Sequence, residues 1–239
     1  GNSYMSLAKA YIEKGTNDQA TISVHLVDQY GNSLTTSGSG NSVEVSITNS
    51  NNNSPDATLV GDSDKNDLVT ATDGNSDGTY TATLQAGAII ETVTISAALN
   101  SNSVSNTVDI QITEFNDWTS RSRGSRSSRR DWSEAGNWTL DTPTTGQVVT
   151  IPTSPADGTG YPIIAEDNVT IDFLEIEDQA TTNLDPGYTM YINEDLSGDG
   201  VFICDRSTVE IGGDISISTF ASSTCDIYIT NGHSNISGD

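Results

Sequence analysis

The segment ATISVHLVD, residues 20–28, alternates apolar and polar side chains from Ala20 to Leu26, with Ile22, Val24 and Leu26 on one face and Thr21, Ser23 and His25 on the other. A period of two is that of a strand with one buried face, and a helix would scatter those apolar residues around its circumference. The pattern returns in SVEVSIT (Val43, Val45, Ile47), GTYTATL (Tyr80, Ala82, Leu84), ETVTISAAL (Val93, Ile95, Ala97) and NTVDIQI (Val108, Ile110, Ile112). Polar stretches such as DQYGNSL and NSNNNSPD lie between these runs as turn and loop. Short strands at near-regular spacing, punctuated by Gly, Asn and Asp, predict an antiparallel β-sandwich for the first half of the chain.

The second half has another texture. Apolar pairs recur at Val169/Ile171, Met190/Ile192, Val209/Ile211 and Ile227/Ile229, with steps of 21, 19 and 18 residues between their second members. Gly-Asp turns recur beside them in SGDG, IGGD and ISGD. A period near 20 residues built of short strands and glycine turns predicts a β-solenoid, in which each coil buries its apolar side chains against the next. The period drifts, so an ordinary sandwich is the competing reading. The two cysteines, Cys204 and Cys225, stand 21 residues apart, about one coil, so stacked coils bring them to disulfide distance. Two buried free thiols are the alternative.

Composition sets the class and excludes several partners. At 239 residues the chain holds two ordinary domains, and helix formers are scarce beside recurrent Thr, Val and Ile, as in all-β proteins. With 33 acidic against nine basic side chains the net charge is −24, which repels nucleic acid and anionic membrane. No apolar run of 18 residues is present, so no direct membrane insertion is expected, and the chain does not open on a signal-peptide pattern. Both ends read as mid-pattern. The expectation is a piece of a longer chain, its solenoid truncated at the C-terminal end.

Candidate sites are few. Asp73, Asn75 and Asp77 before Gly78 have the spacing of half a calcium loop, but Leu84 stands where such a loop needs its bidentate Glu. The residues therefore read first as a hairpin turn, with calcium the alternative; no other cofactor is expected. His25 in a strand and His233 in NGHSN are the only histidines, and no nucleophile elbow, phosphate loop or HExxH helix is present, so no catalytic residue is assigned. Trp118, Trp132 and Trp138 are candidates for stacking on sugar rings, against the plainer reading that Trp132 and Trp138 plug the solenoid's open first coil. Five of the nine basic residues, Arg121, Arg123, Arg126, Arg129 and Arg130, crowd into RSRGSRSSRR between the two halves. Placed between acidic domains, they are expected to bridge carboxylates as an electrostatic clasp; a strip for an acidic polysaccharide or a neighbouring subunit is the alternative.

Two resemblances follow from these residues. ISVHLVDQYGNSL, DGNSDGTYTATLQAG and VTISAALNSNSVSNTVDIQI, within residues 5–113, resemble the immunoglobulin-like repeats of intimin and invasin-type bacterial surface proteins. That likeness implies a rigid spacer or presentation module. Trp132–Trp138 (W-S-x-x-x-N-W), Val149–Pro152, Tyr161-Pro162 and Asn231–Gly238 resemble a β-helical module of secreted surface proteins of marine and gliding bacteria. The expectation is an all-β chain: an immunoglobulin-like sandwich over 1–113, an Arg/Ser-rich junction over 114–131, and a right-handed β-solenoid or β-helix-like domain over 132–239. Its expected role is non-catalytic, a structural or adhesive part of a large secreted or cell-surface bacterial protein. The expected partners are other modules of the same chain, a surface glycan or further copies. A carbohydrate-binding module and the N-terminal part of a polysaccharide-degrading β-helix enzyme are the alternatives.

Overall fold

The computed structural model describes residues 3–34, 42–51, 53–73, 77–104, 106–120, 130–155, 160–166, 168–222, 224–232 and 234–236. The chain divides into two compact units, Gly1–Thr113 and Glu114–Asp239.

The first unit carries β1 (Tyr4–Leu7), β2 (Tyr11–Glu13), β3 (Gln19–His25), β4 (Val43–Asn49), β5 (Thr58–Leu59), β6 (Leu68–Ala71), β7 (Thr79–Gln85), β8 (Glu91–Leu99), β9 (Asn102–Ser103) and the first residues of β10 (Val108–Asp117). One sheet runs β1-β3-β7-β5, antiparallel throughout. The other runs β10-β8-β4-β6, also antiparallel, with β9 beside β8 and β2 added parallel to β10. The facing sides supply the core: Ile22, Val24 and Leu26 from β3, Val43, Val45 and Ile47 from β4, and Tyr80, Ala82 and Leu84 from β7. Val93, Ile95 and Ala97 of β8 and Ile110 and Ile112 of β10 complete it, while Val108 packs against its margin half-buried.

Two loops of this unit share one hydrogen-bonding scheme. Asp62 accepts the amides of Asn66 (3.3 Å) and Asp67 (2.9 Å), and Asn66 Oδ1 accepts that of Leu68. Eleven residues on, Asp73 accepts the amides of Asp77 and Gly78 (both 3.2 Å), and Asp77 Oδ1 accepts that of Thr79 (2.8 Å). The fifth residue after each Asp has positive φ, 59° at Asp67 and 85° at Gly78. Only Gly takes that conformation without steric cost, and Asp is among the side chains that tolerate it best.

The second unit continues with β11 (Gln147–Ile151), β12 (Ile163–Ile164), β13 (Val169–Ile171), β14 (Phe173–Ile176), β15 (Thr181–Leu184), β16 (Thr189–Ile192), β17 (Leu196–Cys204), β18 (Thr208–Ile211), β19 (Ile215–Ser222), β20 (Asp226–Ile229) and β21 (Ser234–Ile236). Every pairing between named strands here is parallel. One ladder runs from residues 114–117 through β11, β14 and the first half of β17 to β19 and β21. A second runs β12-β15-β17-β19 along the far half of the two long strands. The third runs β13-β16-β18-β20 and pairs Val169 with Met190, Val209 and Ile227 in succession. Parallel partners cannot be joined by a tight hairpin, so about 20 residues separate successive rungs. The third ladder matches the apolar pairs read from the sequence residue for residue, and parallel pairing excludes an antiparallel sandwich for this unit.

Close stacking explains the glycines at the corners. Gly198 has φ 112°, and a Cβ there would collide with the Ile176 carbonyl of the preceding rung; at Gly212 it would meet the carbonyl of Asn193. The interior is apolar: Leu174, Ile176, Leu196, Phe202, Ile215 and their neighbours are all but fully buried.

Candidate functional site

The tryptophans lie inside the second unit, which corrects their reading as sugar-stacking platforms. Trp118, Trp132 and Trp138 are 0%, 1% and 5% exposed, so none offers a ring face to a ligand. Trp138 meets Trp118 edge-on at 5.0 Å and Trp132 at 4.7 Å, the geometry that aromatic quadrupoles favour. Two of the three indole nitrogens donate to a main-chain carbonyl: Trp118 to Gly160 (3.0 Å) and Trp138 to Trp132 (2.8 Å). The W-S-x-x-x-N-W segment builds this cluster locally. Asp131 caps the amide and hydroxyl of Ser133, a 3-10 turn spans Ala135–Asn137, and the buried Asn137 amide donates to the Asp131 carbonyl. Asn137 also accepts the amides of Thr119 and Ser120 on its own carbonyl, and Trp132 donates its amide to Ile163 at the first strand of the second ladder. Asn116 sits fully buried, its side chain joined to the Asp141 carbonyl, Gln147, Thr139 and the Leu140 amide.

Of the five arginines, Arg121, Arg123, Arg126 and Arg129 lie outside the described residues. Arg130 is described, and its Nε donates to the Tyr161 carbonyl at 3.1 Å while its chain lies over Gly160. That contact is to the backbone, not to a carboxylate. Asn75 of the half calcium loop is likewise outside the described residues. Both carboxylate oxygens of Asp73 are engaged by loop amides, as a turn requires. Among the described residues no group of three or more His, Cys, Asp or Glu is placed to hold a metal ion.

His233 is outside the described residues. His25 sits between two hydroxyls, Ser6 Oγ at 3.3 Å from Nε2 and Thr79 Oγ1 at 3.3 Å from Nδ1, and stacks on Tyr4 at 4.6 Å. The second ring nitrogen thus faces a hydroxyl rather than the carboxylate of a Ser-His-Asp arrangement. Three carboxyls of the second unit are raised above their ordinary range. Burial is the first cause for each, joined by the neighbouring charge of Glu177 for Asp117, of Asp131 for Glu166, and of Asp195 and Asp172 for Glu194. They lie in different parts of the unit, Asp117 on the first ladder and Glu194 at a corner whose neighbours Asp172 and Asp195 serve the Gly146 and Asp214 amides.

Cys204 and Cys225 form a disulfide with Cα atoms 5.5 Å apart. It joins the buried end of β17 to the residue just before β20, and so ties one rung to the next.

Residues 1–115 match the family described as Invasin, domain 3. No curated protein matches the chain. Among solved structures it is similar to the Escherichia coli adhesin FdeC, with 21% identity over 47% of this chain and 31% of that one and a TM-score of 0.35. The Yersinia pseudotuberculosis adhesin InvE gives 24% identity over 49% and 28%, TM-score 0.37, and InvD of the same organism 26% over 47% and 27%, TM-score 0.36. The chain thus spans about three tenths of the length of these structures. On the family match, with two facing antiparallel sheets beneath it, the first unit is an immunoglobulin-like domain of the invasin type.

Proposed function

We propose that this chain is a non-catalytic structural and adhesive part of a bacterial cell-surface protein, in which an invasin-type spacer is followed by a right-handed β-solenoid. The observation that carries the reading is the family match over the whole first unit. The solenoid half is supported by the three parallel ladders with steps near 20 residues, and its hand by the strong preference of parallel crossovers for the right-handed turn. In this reading the tryptophan cluster closes the solenoid at its first coil, and the partners are neighbouring modules of the same surface protein. A polysaccharide-degrading role finds no support in the second unit, where Arg206 is the one basic residue after Arg130.

The test is retention and turnover measured together. The whole chain, coupled to beads, is incubated with epithelial cells and with a panel of neutral and acidic polysaccharides, and both adhesion and new chain ends are scored. The expected result is cell retention or none, with no new chain ends on any polysaccharide. Steady release of new ends would overturn the proposal.

A further inference from the structure

Asp185-Pro186 is the only Asp-Pro pair in the chain; the other prolines follow Ser54, Thr142, Ile151, Ser154 and Tyr161. The pair lies in the turn between β15 and β16, with Asp185 half-buried and Pro186 and Gly187 exposed. The geometry points to a self-cleavage site, at which the Asp185 carboxyl cuts the peptide bond between Asp185 and Pro186 while the Ser207 hydroxyl stabilises the charge that develops on the carbonyl oxygen. The cut is a single event in the chain's own backbone, so it goes beyond the structural and adhesive reading and does not depend on it.

Three observations carry the inference. First, the scissile carbonyl already holds an aimed donor. Ser207, only 5% exposed, donates its hydroxyl to the Asp185 carbonyl at 2.5 Å, whereas the Asp205 carbonyl is 3.2 Å away. The Gly187 amide donates to Ser207 Oγ at 3.1 Å, which makes that hydroxyl a stronger donor. A fixed donor, screened from water and set before the charge develops, is what a tetrahedral oxyanion needs. Second, the turn is clamped on both sides. The Asp185 amide donates to the Ile164 carbonyl of one rung, and the Gly187 amide donates to the Arg206 carbonyl of the next. Asn183 Nδ2 donates to Asp185 Oδ1 at 3.0 Å, which orients the carboxyl with Oδ2 as the attacking atom. Third, the leaving nitrogen belongs to proline. It has no N–H for a ladder to hold, and a tertiary amide nitrogen takes up a proton more readily than a secondary one.

The step balances without a co-reactant other than water. Asp185 Oδ2 bonds to the main-chain carbon of its own residue and closes a cyclic anhydride, so reach is set by covalent structure. The bond from that carbon to the Pro186 nitrogen breaks, and the nitrogen keeps the electron pair and takes the proton of the attacking carboxyl. Water then opens the anhydride, leaving a free carboxyl on Asp185 and a free amine on Pro186. The two pieces stay paired, because β15 of the first lies beside β17 of the second and β16 of the second beside β13 of the first.

The test is the rate of that one cut in the whole chain, followed by intact-mass spectrometry in mildly acidic buffer as fragments 1–185 and 186–239 appear together. The same chain unfolded in concentrated urea at the same pH measures the intrinsic lability of an Asp-Pro bond. The expected result is cleavage about tenfold or more faster in the folded chain than in the unfolded one. Ser207→Ala should bring the folded rate down to the unfolded rate, and Asp185→Ala should abolish the cut. Hydrogen exchange at β16 and β18 verifies that the Ser207→Ala chain is folded; where it is not, the comparison of folded and unfolded native chain still decides. A folded chain that is cut no faster than the unfolded one, or a folded Ser207→Ala chain that is cut as fast as the native, overturns the site.

Discussion

Opening the Cys204–Cys225 bond is expected to loosen one coil rather than the molecule. The bond closes a loop of 21 residues that contains β18 and β19. Cross-linking a loop of that length removes chain entropy from the open state worth about 3 kcal/mol. In the proposed stack of coils, each touching only its neighbours, the loss falls on the rungs that the bond joins, where it raises the open population by about two powers of ten. Hydrogen exchange before and after mild reduction is the assay, since reduction opens the bond without substituting any residue. Amides of β18 and β20 should then exchange about a hundredfold faster, with β13 and β16 little changed and β3, β7 and β8 of the first unit unchanged. Uniform acceleration throughout the second unit would refute the rung-by-rung reasoning, and no change at β20 would refute the role given to the bond.

Other expectations follow from the same structure. Trp138→Ala removes the ring that packs on both other tryptophans and should cost the second unit about 3–5 kcal/mol in calorimetry, leaving the first unit's transition in place. Gly198→Ala places a methyl against the Ile176 carbonyl at a positive φ and should destabilise the second unit by about 1–3 kcal/mol, read by denaturant titration. The two units should also answer acid differently. Asp117, Glu166 and Glu194 have raised folded pKa values, so their ionisation opposes folding at neutral pH and the second unit gains stability as pH falls through their titration. In the first unit the Asp28 carboxyl is lowered by Asn32 and nearby amides. Asp18 is lowered too, because the Lys9 ammonium and the Glu13 and Gln19 amides outweigh its burial. These two contribute stability above the ordinary value of 3.8 that is lost as pH falls below it. Scanning calorimetry from pH 7 downward should therefore show the second unit's transition rising and, in stronger acid, the first unit's falling.

The sequence carried the long strands of the first unit well, because runs of seven to ten residues such as β3 and β8 repeat the alternation often enough to fix which face is buried. It was silent on β2 and β5, since three and two residues cannot show a period and their pairing comes from tertiary contact with β10 and β7. In the second unit the third ladder was legible through its isoleucine pairs. The first ladder was not, because its early rungs step irregularly, Val148 pairing with Phe173 but Leu174 with Leu196. The tryptophans show the limit most clearly. From the sequence a Trp beside polar residues can be an exposed sugar platform or a buried ring, and the buried Trp118 is held in part by a carbonyl at Gly160, 42 residues away.

Pulling the whole chain from its two ends by single-molecule force spectroscopy tests most directly whether this is an invasin-type spacer followed by stacked coils. The account predicts one all-or-none event from the first unit, releasing about 350–400 Å of contour for its 113 residues. Under reducing conditions it predicts in addition a series of short steps of about 70 Å as successive rungs of the second unit peel away. A second unit that ruptured in a single event, releasing all its length at once, would contradict it.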